Sequence, residues 1–230
     1  MKEKPILFST AMVQAIQRDM KSQTRRVVKC PASTTEIKWV ENHNMAPNGT
    51  YTGWAIRCDA PLLLPTKGKR GAGDVLWVKE THFQWGKWVK DGFTPTGKQR
   101  WRFVCKDKTK LAYMDSPPET ILTKKSHTIG WYKRPSIFMP RWAARIFLTV
   151  KAARFERLQD ISARDCVSEG IELDHWKSED YPLIDHGIER EAKELRRKFK
   201  ILWDSINAKR SPWVANNWVE VTTFERKTNA

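Results

Sequence analysis

Four residues that could do chemistry together lie within six positions of the chain, in the stretch MKSQTRRVV: Lys21, Thr24, Arg25 and Arg26. A threonine hydroxyl becomes a nucleophile when a base removes its proton, and a lysine can be that base if burial or neighbouring cations lower its pKa. Arg25 and Arg26 are such neighbours, and Arg26 could also hold a carbonyl, a phosphate or a base edge. With a carboxylic acid opposite to protonate a leaving amine, the corner could hydrolyse an amide. The alternative is a solvated turn that grips phosphate and catalyses nothing.

Other candidate residues lie further along the chain. Trp77 and Glu80 could frame a pocket, or Trp77 could simply fill the core. Arg141 and Arg145 could line a nucleic-acid track, or they could be solvated arginines of a packed linker. The four cysteines and five histidines show no ligand spacing, so we expect neither a metal nor another cofactor.

The charge of the chain indicates the class of partner. Lys and Arg outnumber Asp and Glu by 42 to 26, which gives a formal net charge of +16 and a pI near 9.8. Such a field attracts polyanions, and aromatic residues among basic ones, as at residues 82–134, can stack on unpaired bases. No run of 18 apolar residues and no signal-peptide pattern is present. We therefore expect a cytoplasmic protein whose partner is nucleic acid and not a membrane, and the oligomeric state is left open.

Short strands separated by turns, with helices at the margins, are predicted around these residues. Helices are expected at residues 10–19, at 163–169 between a Ser162 cap and Gly170, and at 188–206. Strands are expected at residues 6–8, 24–28, 75–78, 146–150 and 218–224. The order favours an α+β class: a single domain over residues 1–230, built as a small mixed β-barrel with flanking helices. Two large insertions, at about 30–67 and 82–134, and a further one at about 172–187, interrupt it.

Several motifs in one order resemble the ASCH domain family of the PUA-like superfamily, and phage-encoded members most of all. The motifs are Lys21-x-x-Thr24-x-Arg26, GDVLWV at 73–78, MPRWAARI at 139–146, ERLQDIS at 156–162, SEGI at 168–171 and LWDSIN at 202–207. The resemblance implies a PUA-like barrel and, for a phage protein, the host cytoplasm.

The resemblance also implies a function. The family is associated with RNA or nucleotide binding, which favours RNA over DNA; small bacterial members hydrolyse N4-acetylcytidine, and others are reported as ribonucleases. The matching working residues are Lys21 as base, Thr24 as nucleophile and Glu169 as acid, with Arg26, and beside it Arg25, as substrate contacts. The family's usual GRKT-x-T-x-R becomes DMKSQTRR here, so the Gly-Arg pair is missing. Two alternatives stay open: a binding module without turnover, and an exposed Glu169 that only pairs with Arg26.

Overall fold

The computed structural model describes residues 2–30, 34–44, 50–58, 63–65, 70–172 and 185–227. The strands are β1 (Glu3–Leu7), β2 (Gln23–Val27), β3 (Thr34–Asn44), β4 (Thr50–Cys58), β5 (Leu63–Pro65), β6 (Val75–Lys79), β7 (His82–Phe93), β8 (Gln99–Tyr113), β9 (Gly130–Arg134), β10 (Phe147–Arg157) and β11 (Trp218–Arg226). The helices are α1 (Thr10–Gln17), α2 (Ala163–Ser168) and α3 (Asp185–Asn207).

The chain divides into two compact units. Unit 1 comprises Met1–Lys2, Ala15–Val75 and Thr149–Ala230, and unit 2 comprises Glu3–Gln14 and Leu76–Leu148. Such a division occurs within single domains as well as between domains, so the single domain over residues 1–230 stays a prediction.

The core of unit 1 lies between β11 and the helices α2 and α3. β11 pairs with β2 in antiparallel register, and Val219 and Val221 of β11 point into a cluster of buried apolar side chains. α3 contributes the buried stripe Leu195, Phe199 and Trp203, whose i, i+4, i+8 spacing places them on one helix face. Ile206, near the end of α3, is exposed.

The caps of α2 are those that the sequence predicts. The Ser162 hydroxyl accepts a hydrogen bond from the backbone N–H of Asp165 at 3.1 Å. Gly170 follows the helix with a φ of +88°, a left-handed conformation that glycine adopts without steric cost. These two caps fix where the helix ends, and so where Glu169 is placed.

Residues 30–67 contain more regular structure than expected. β3, β4 and β5 form an antiparallel three-stranded sheet, with Trp39 opposite Trp54. Most of the expected insertion at 172–187 lies outside the described residues.

Unit 2 is built around a long hairpin. β7 pairs with β8 on one side and β9 on the other, which confirms the hairpin structure expected for residues 82–134. Gly86 allows the close approach of the strands, because a Cβ there would lie 2.2 Å from the Val104 carbonyl oxygen.

The α+β class is confirmed. The strands predicted near residues 6–8, 24–28, 75–78, 146–150 and 218–224 are present as β1, β2, β6, β10 and β11. Within the described part of the chain the sheets do not close into a barrel. No helix there is long and apolar enough to cross a membrane, and the cytoplasmic location stays a prediction.

Candidate functional site

The corner at residues 21–26 forms the start of β2 and is held on both sides by backbone hydrogen bonds. The N–H of Ser22 donates to the carbonyl of Ser168 at 2.9 Å, and the carbonyl of Ser22 accepts from the N–H of Phe224 at 2.8 Å. The first bond ties the corner to the end of α2. It thereby brings Lys21 next to Glu169, 148 positions later in the chain.

Lys21 and Glu169 form a buried ion pair. The Lys21 Nζ donates to Glu169 Oε2 at 2.6 Å and to the Glu169 backbone carbonyl at 2.8 Å. Only 3% of Lys21 and 5% of Glu169 are exposed. The expectation of an exposed Glu169 is therefore wrong, and hydrogen bonds connect its carboxylate to Lys21 and Arg25.

Burial lowers the pKa of the Lys21 amine below its usual value of 10.5. The Glu169 carboxylate acts in the opposite sense, and the positive charges of Arg26 and Arg25 lower this pKa further. A lysine in this environment gives up its proton more easily than a solvated one, as general-base chemistry requires.

Arg25 is the centre of a buried charge cluster, which we define as Lys21, Arg25, Glu156, Asp165 and Glu169. Its guanidinium donates to Glu156 Oε1 at 2.7 and 2.9 Å and to Glu169 Oε1 at 3.1 Å, and it lies 3.1 Å from Asp165 Oδ2. It also donates to the amide oxygen of Gln23 at 2.8 Å. Arg25 therefore joins the three carboxylates of the cluster, and its role as a substrate contact stays a prediction.

The opposite face of β2 carries a second group of polar residues. Side chains alternate along a strand, so Thr24 and Arg26 point away from Arg25. Their direct partners on β11 are Thr222 and Glu220, respectively. We call these four residues, together with Arg70, the polar face.

The polar face is buried and rich in hydrogen-bonding groups. Glu220 accepts from the Arg70 backbone N–H and from Arg70 Nη1, both at 3.0 Å. Thr24, Glu220 and Thr222 are almost fully buried, whereas Arg26 and Arg70 are half-buried. Burial is the main cause that lowers the pKa of Arg26, and the positive charge of Arg70 lowers it further. The second effect arises because the two guanidinium groups lie near each other.

One hydroxyl of the polar face is unsatisfied. The Thr222 Oγ1 is buried and has no hydrogen-bond partner in the described part of the chain. An unsatisfied buried hydroxyl destabilises a folded protein by about 1–3 kcal/mol. The stability of the free protein therefore does not explain why a threonine occupies position 222.

Three members of the polar face were missed from the sequence: Arg70, Glu220 and Thr222. The signal for two of them was the alternation of β11, in which Glu220 and Thr222 share one face and Val219 and Val221 the other. A polar face on a strand that is buried on both sides is unusual, and the sequence alone does not show that both sides are buried.

The remaining predicted residues, Trp77, Glu80, Arg141 and Arg145, lie in unit 2, as do the partners described for them. Arg145 binds the carboxylate of buried Glu80 through two hydrogen bonds of 2.9 Å. Arg145 also donates to Asp115 at 2.7 Å.

Arg141 and Trp77 have partners of their own. Exposed Arg141 donates to Glu3 at 2.8 and 3.1 Å. Half-buried Trp77 has the Lys79 ammonium 5.5 Å from its ring centroid. None of these contacts joins the Lys21 corner.

Among the described residues, no group of three or more His, Cys, Asp or Glu side chains is placed to hold a metal ion. Comparison with known proteins gives no relative: no family model matches the chain, and neither a curated protein nor a solved structure matches it.

Proposed function

We propose that the protein binds a nucleobase of RNA, ordinary or modified, on the polar face of β2 and β11. The observation that carries this proposal is the buried, unsatisfied Thr222 hydroxyl beside Thr24, Arg26 and Glu220. Buried polar groups normally have partners, and a missing partner within the protein is what a ligand site leaves in the free state.

The donors and acceptors of the polar face suit the edge of a cytosine. A glutamate accepts a hydrogen bond from the cytosine N4 amine, and Glu220 keeps acceptor capacity besides its two bonds to Arg70. The guanidinium of Arg26 can donate to the ring nitrogen and carbonyl of the same edge. The threonine hydroxyls donate or accept as the base requires.

The charge cluster supports the polar face from behind. Arg25 and Lys21 neutralise Glu169, and the backbone of the corner between them carries Thr24. We therefore assign Arg25 a positioning role. The membership in a PUA-like ASCH family that the motif order suggests belongs to this proposal and is supported by those motifs alone.

The proposal is tested by titrating short RNAs that contain one cytidine, one N4-acetylcytidine or one uridine in otherwise equal sequence. We expect saturable binding with preference for the cytosine forms, and Glu220→Gln to reduce that preference, since a hydrogen-bonding pair of this kind contributes about 1–3 kcal/mol of discrimination. Thr223→Val, one position away on β11, is the matched control. Equal affinity for the cytidine and uridine RNAs would show that the protein does not recognise the hydrogen-bonding edge of cytosine.

A second candidate, hydrolysis of an N4-acyl group on cytosine, is favoured by the buried contact between Lys21 and Glu169. In that reaction Thr24 Oγ attacks the acyl carbonyl, and its proton passes to neutral Lys21 through a bridging water, because Thr24 points away from the charge cluster. The proton then moves from Lys21 through the Glu169 carboxylate, 2.6 Å away, to N4 as the carbon–nitrogen bond breaks, and water releases the acyl group from Thr24 as a carboxylic acid. The reaction requires Lys21 in its neutral form, which burial favours by lowering its pKa.

Acetate release from N4-acetylcytidine distinguishes the two candidates. If the protein catalyses this hydrolysis, Lys21→Met and Glu169→Gln each lower the rate of acetate release by at least about 100-fold, which is the usual contribution of general acid–base catalysis. Lys200→Met, an exposed lysine of α3, is the control and leaves the rate unchanged. Saturable binding without acetate release identifies a binding module, and RNA cleavage in the same incubation identifies a ribonuclease.

A further inference from the structure

Half of the net charge of the protein lies in residues 82–134. This segment has twelve Lys and Arg against four Asp and Glu, a net charge of +8 out of the total of +16, in less than a quarter of the chain. The structure places most of the segment in the three-stranded sheet of unit 2, in which β8 is an edge strand.

The basic residues are not scattered over this sheet. Along β8, Arg100 and Arg102 are exposed and two positions apart, so they share one face of the strand. Exposed Lys106, Lys108 and Lys110 follow where two register shifts, at residues 105–107 and 107–111, interrupt the pairing of β8 with β7. Within the second shift the Asp107 carboxylate accepts a hydrogen bond from the backbone N–H of Thr109 at 2.9 Å. We call these five residues the β8 basic row.

An exposed aromatic ring accompanies the basic row. Trp142 is 42% exposed, and the Lys108 ammonium lies 5.7 Å from its ring centroid. Large apolar rings at the surface beside cations are the parts from which single-strand binding sites are made.

One stacked pair shows that a flat ring fits on this sheet. The exposed His127 ring lies parallel to the Trp101 indole, at 4.2 Å between centroids and an angle of 5°. This is the geometry that a nucleobase adopts on an aromatic side chain. Trp101 lies on the face of β8 opposite Arg100 and Arg102, because side chains alternate along a strand, so this pair shows the stacking geometry without being part of the basic row.

We infer that the β8 basic row, with Trp142, is a binding surface for single-stranded nucleic acid. The cations contact successive phosphates and the Trp142 indole stacks on an unpaired base. Paired bases are not available to stack in this way, so duplexes are expected to bind less tightly. The inference shares its class of partner with the proposed function, but it does not depend on the polar face.

The test uses the full-length protein and short uridine and thymidine oligonucleotides in fluorescence anisotropy at several salt concentrations. Lys106→Gln, Lys108→Gln and Lys110→Gln are combined in one variant. Loss of three phosphate contacts makes the slope of log K against log salt less negative by about 2. If the affinities converge near 1 M salt, this change corresponds to roughly 100-fold weaker binding at 0.1 M salt.

The matched control removes the same charge elsewhere. Lys200, Lys209 and Lys227 are exposed lysines of unit 1, and changing all three to Gln is expected to alter the affinity less than about threefold. Equal loss in both triple variants would mean that only the overall charge matters and would overturn the inference. So would unchanged affinity in the β8 variant.

The aromatic contribution is tested separately with Trp142→Ala. We expect about tenfold weaker binding of the oligonucleotides and unchanged binding of heparin, which has charge but no bases. Equal effects on both ligands, or tighter binding of phosphatidylserine vesicles than of oligonucleotides, would contradict a nucleic-acid surface. A uridine oligomer that binds more tightly than its thymidine counterpart supports RNA as the natural ligand, and equal affinity supports single strands of either sugar.

Failure of this inference can be told apart from failure of the proposed function. Loss of the preference for cytidine over uridine in Thr222→Val reports on the polar face alone, whereas the slope of log K against log salt in the β8 triple variant reports on the β8 basic row alone. The β8 triple variant in turn leaves the preference for cytidine over uridine unchanged.

Discussion

Replacing Thr222 by valine is expected to make the free protein more stable. Valine has nearly the shape of threonine and fits the fully buried site, but it lacks the hydroxyl that has no partner in the described structure. The desolvation of an unsatisfied buried hydroxyl costs about 1–3 kcal/mol. We therefore expect Thr222→Val to raise the free energy of unfolding by about 1–2 kcal/mol.

The neighbouring Thr223 provides the control for this measurement. Its hydroxyl accepts a hydrogen bond from the Gln23 side-chain amide at 3.4 Å, so Thr223→Val removes a satisfied group. That variant is expected to lose about 0.5–1 kcal/mol, the usual net contribution of one hydrogen bond. The two threonines, adjacent in one strand, should thus change stability in opposite directions.

Urea denaturation, monitored by tryptophan fluorescence, measures both effects. The comparison requires that the slope of the free energy of unfolding against urea concentration is the same for the wild type, Thr222→Val and Thr223→Val. A midpoint for Thr222→Val at or below that of the wild type would refute the reasoning. It would mean that the hydroxyl has a partner in solution, and the polar face would lose its main evidence as a ligand site.

Four further predictions follow from the structure. In a double-mutant cycle, the stability effects of Lys21→Met and Glu169→Gln should be coupled by about 2 kcal/mol, because the two wild-type side chains form a buried contact at 2.6 Å. A coupling energy below about 0.5 kcal/mol would show that this contact does not form in solution. The free energy of unfolding of the wild type should gain a contribution from Lys21 as pH rises from the lowered pKa of Lys21 toward 10.5, because in that window the unfolded chain keeps the proton that the folded chain releases; urea midpoints of Lys21→Met should lack this gain. Gly170→Ala should cost about 1–2 kcal/mol, because φ is +88° and the new Cβ would lie 3.2 Å from that of Ala15; Gly71→Ala, with open space around it, should be close to neutral in thermal unfolding. Burial lowers the pKa of His82 to about 4, so acidification from pH 6.5 to 4 should lower the free energy of unfolding of the wild type by about 3 kcal/mol. His82→Phe should not show this loss, and urea midpoints at the two pH values measure both proteins.

Much of the local structure was predictable because its causes are local. Ser162 and Gly170 mark the ends of α2, and the spacing of Leu195, Phe199 and Trp203 marks the buried face of α3. The contact of Lys21 with Glu169 was expected from the motif order, and the structure brings the two together.

The roles within the site were harder to predict. Whether Arg25 or Arg26 points at the core depends on how β2 pairs with β11, and the short segment at residues 24–28 has no clear alternation from which to infer it. The partnership of Arg70 with Glu220 joins residues 150 positions apart, a long-range contact on which local pattern carries no information. The contacts of Arg25 and the presence of Arg70 beside Glu220 could therefore not be predicted from the sequence.

The most direct test of the polar face is NMR observation of the threonine methyl groups during titration with an RNA that contains one cytidine. The account predicts that the methyl signals of Thr24 and Thr222 shift together and saturate, and that Thr222→Val, although stably folded, weakens this binding by at least about tenfold. Binding that leaves both methyl signals unmoved, while signals of residues 100–110 shift, would contradict it.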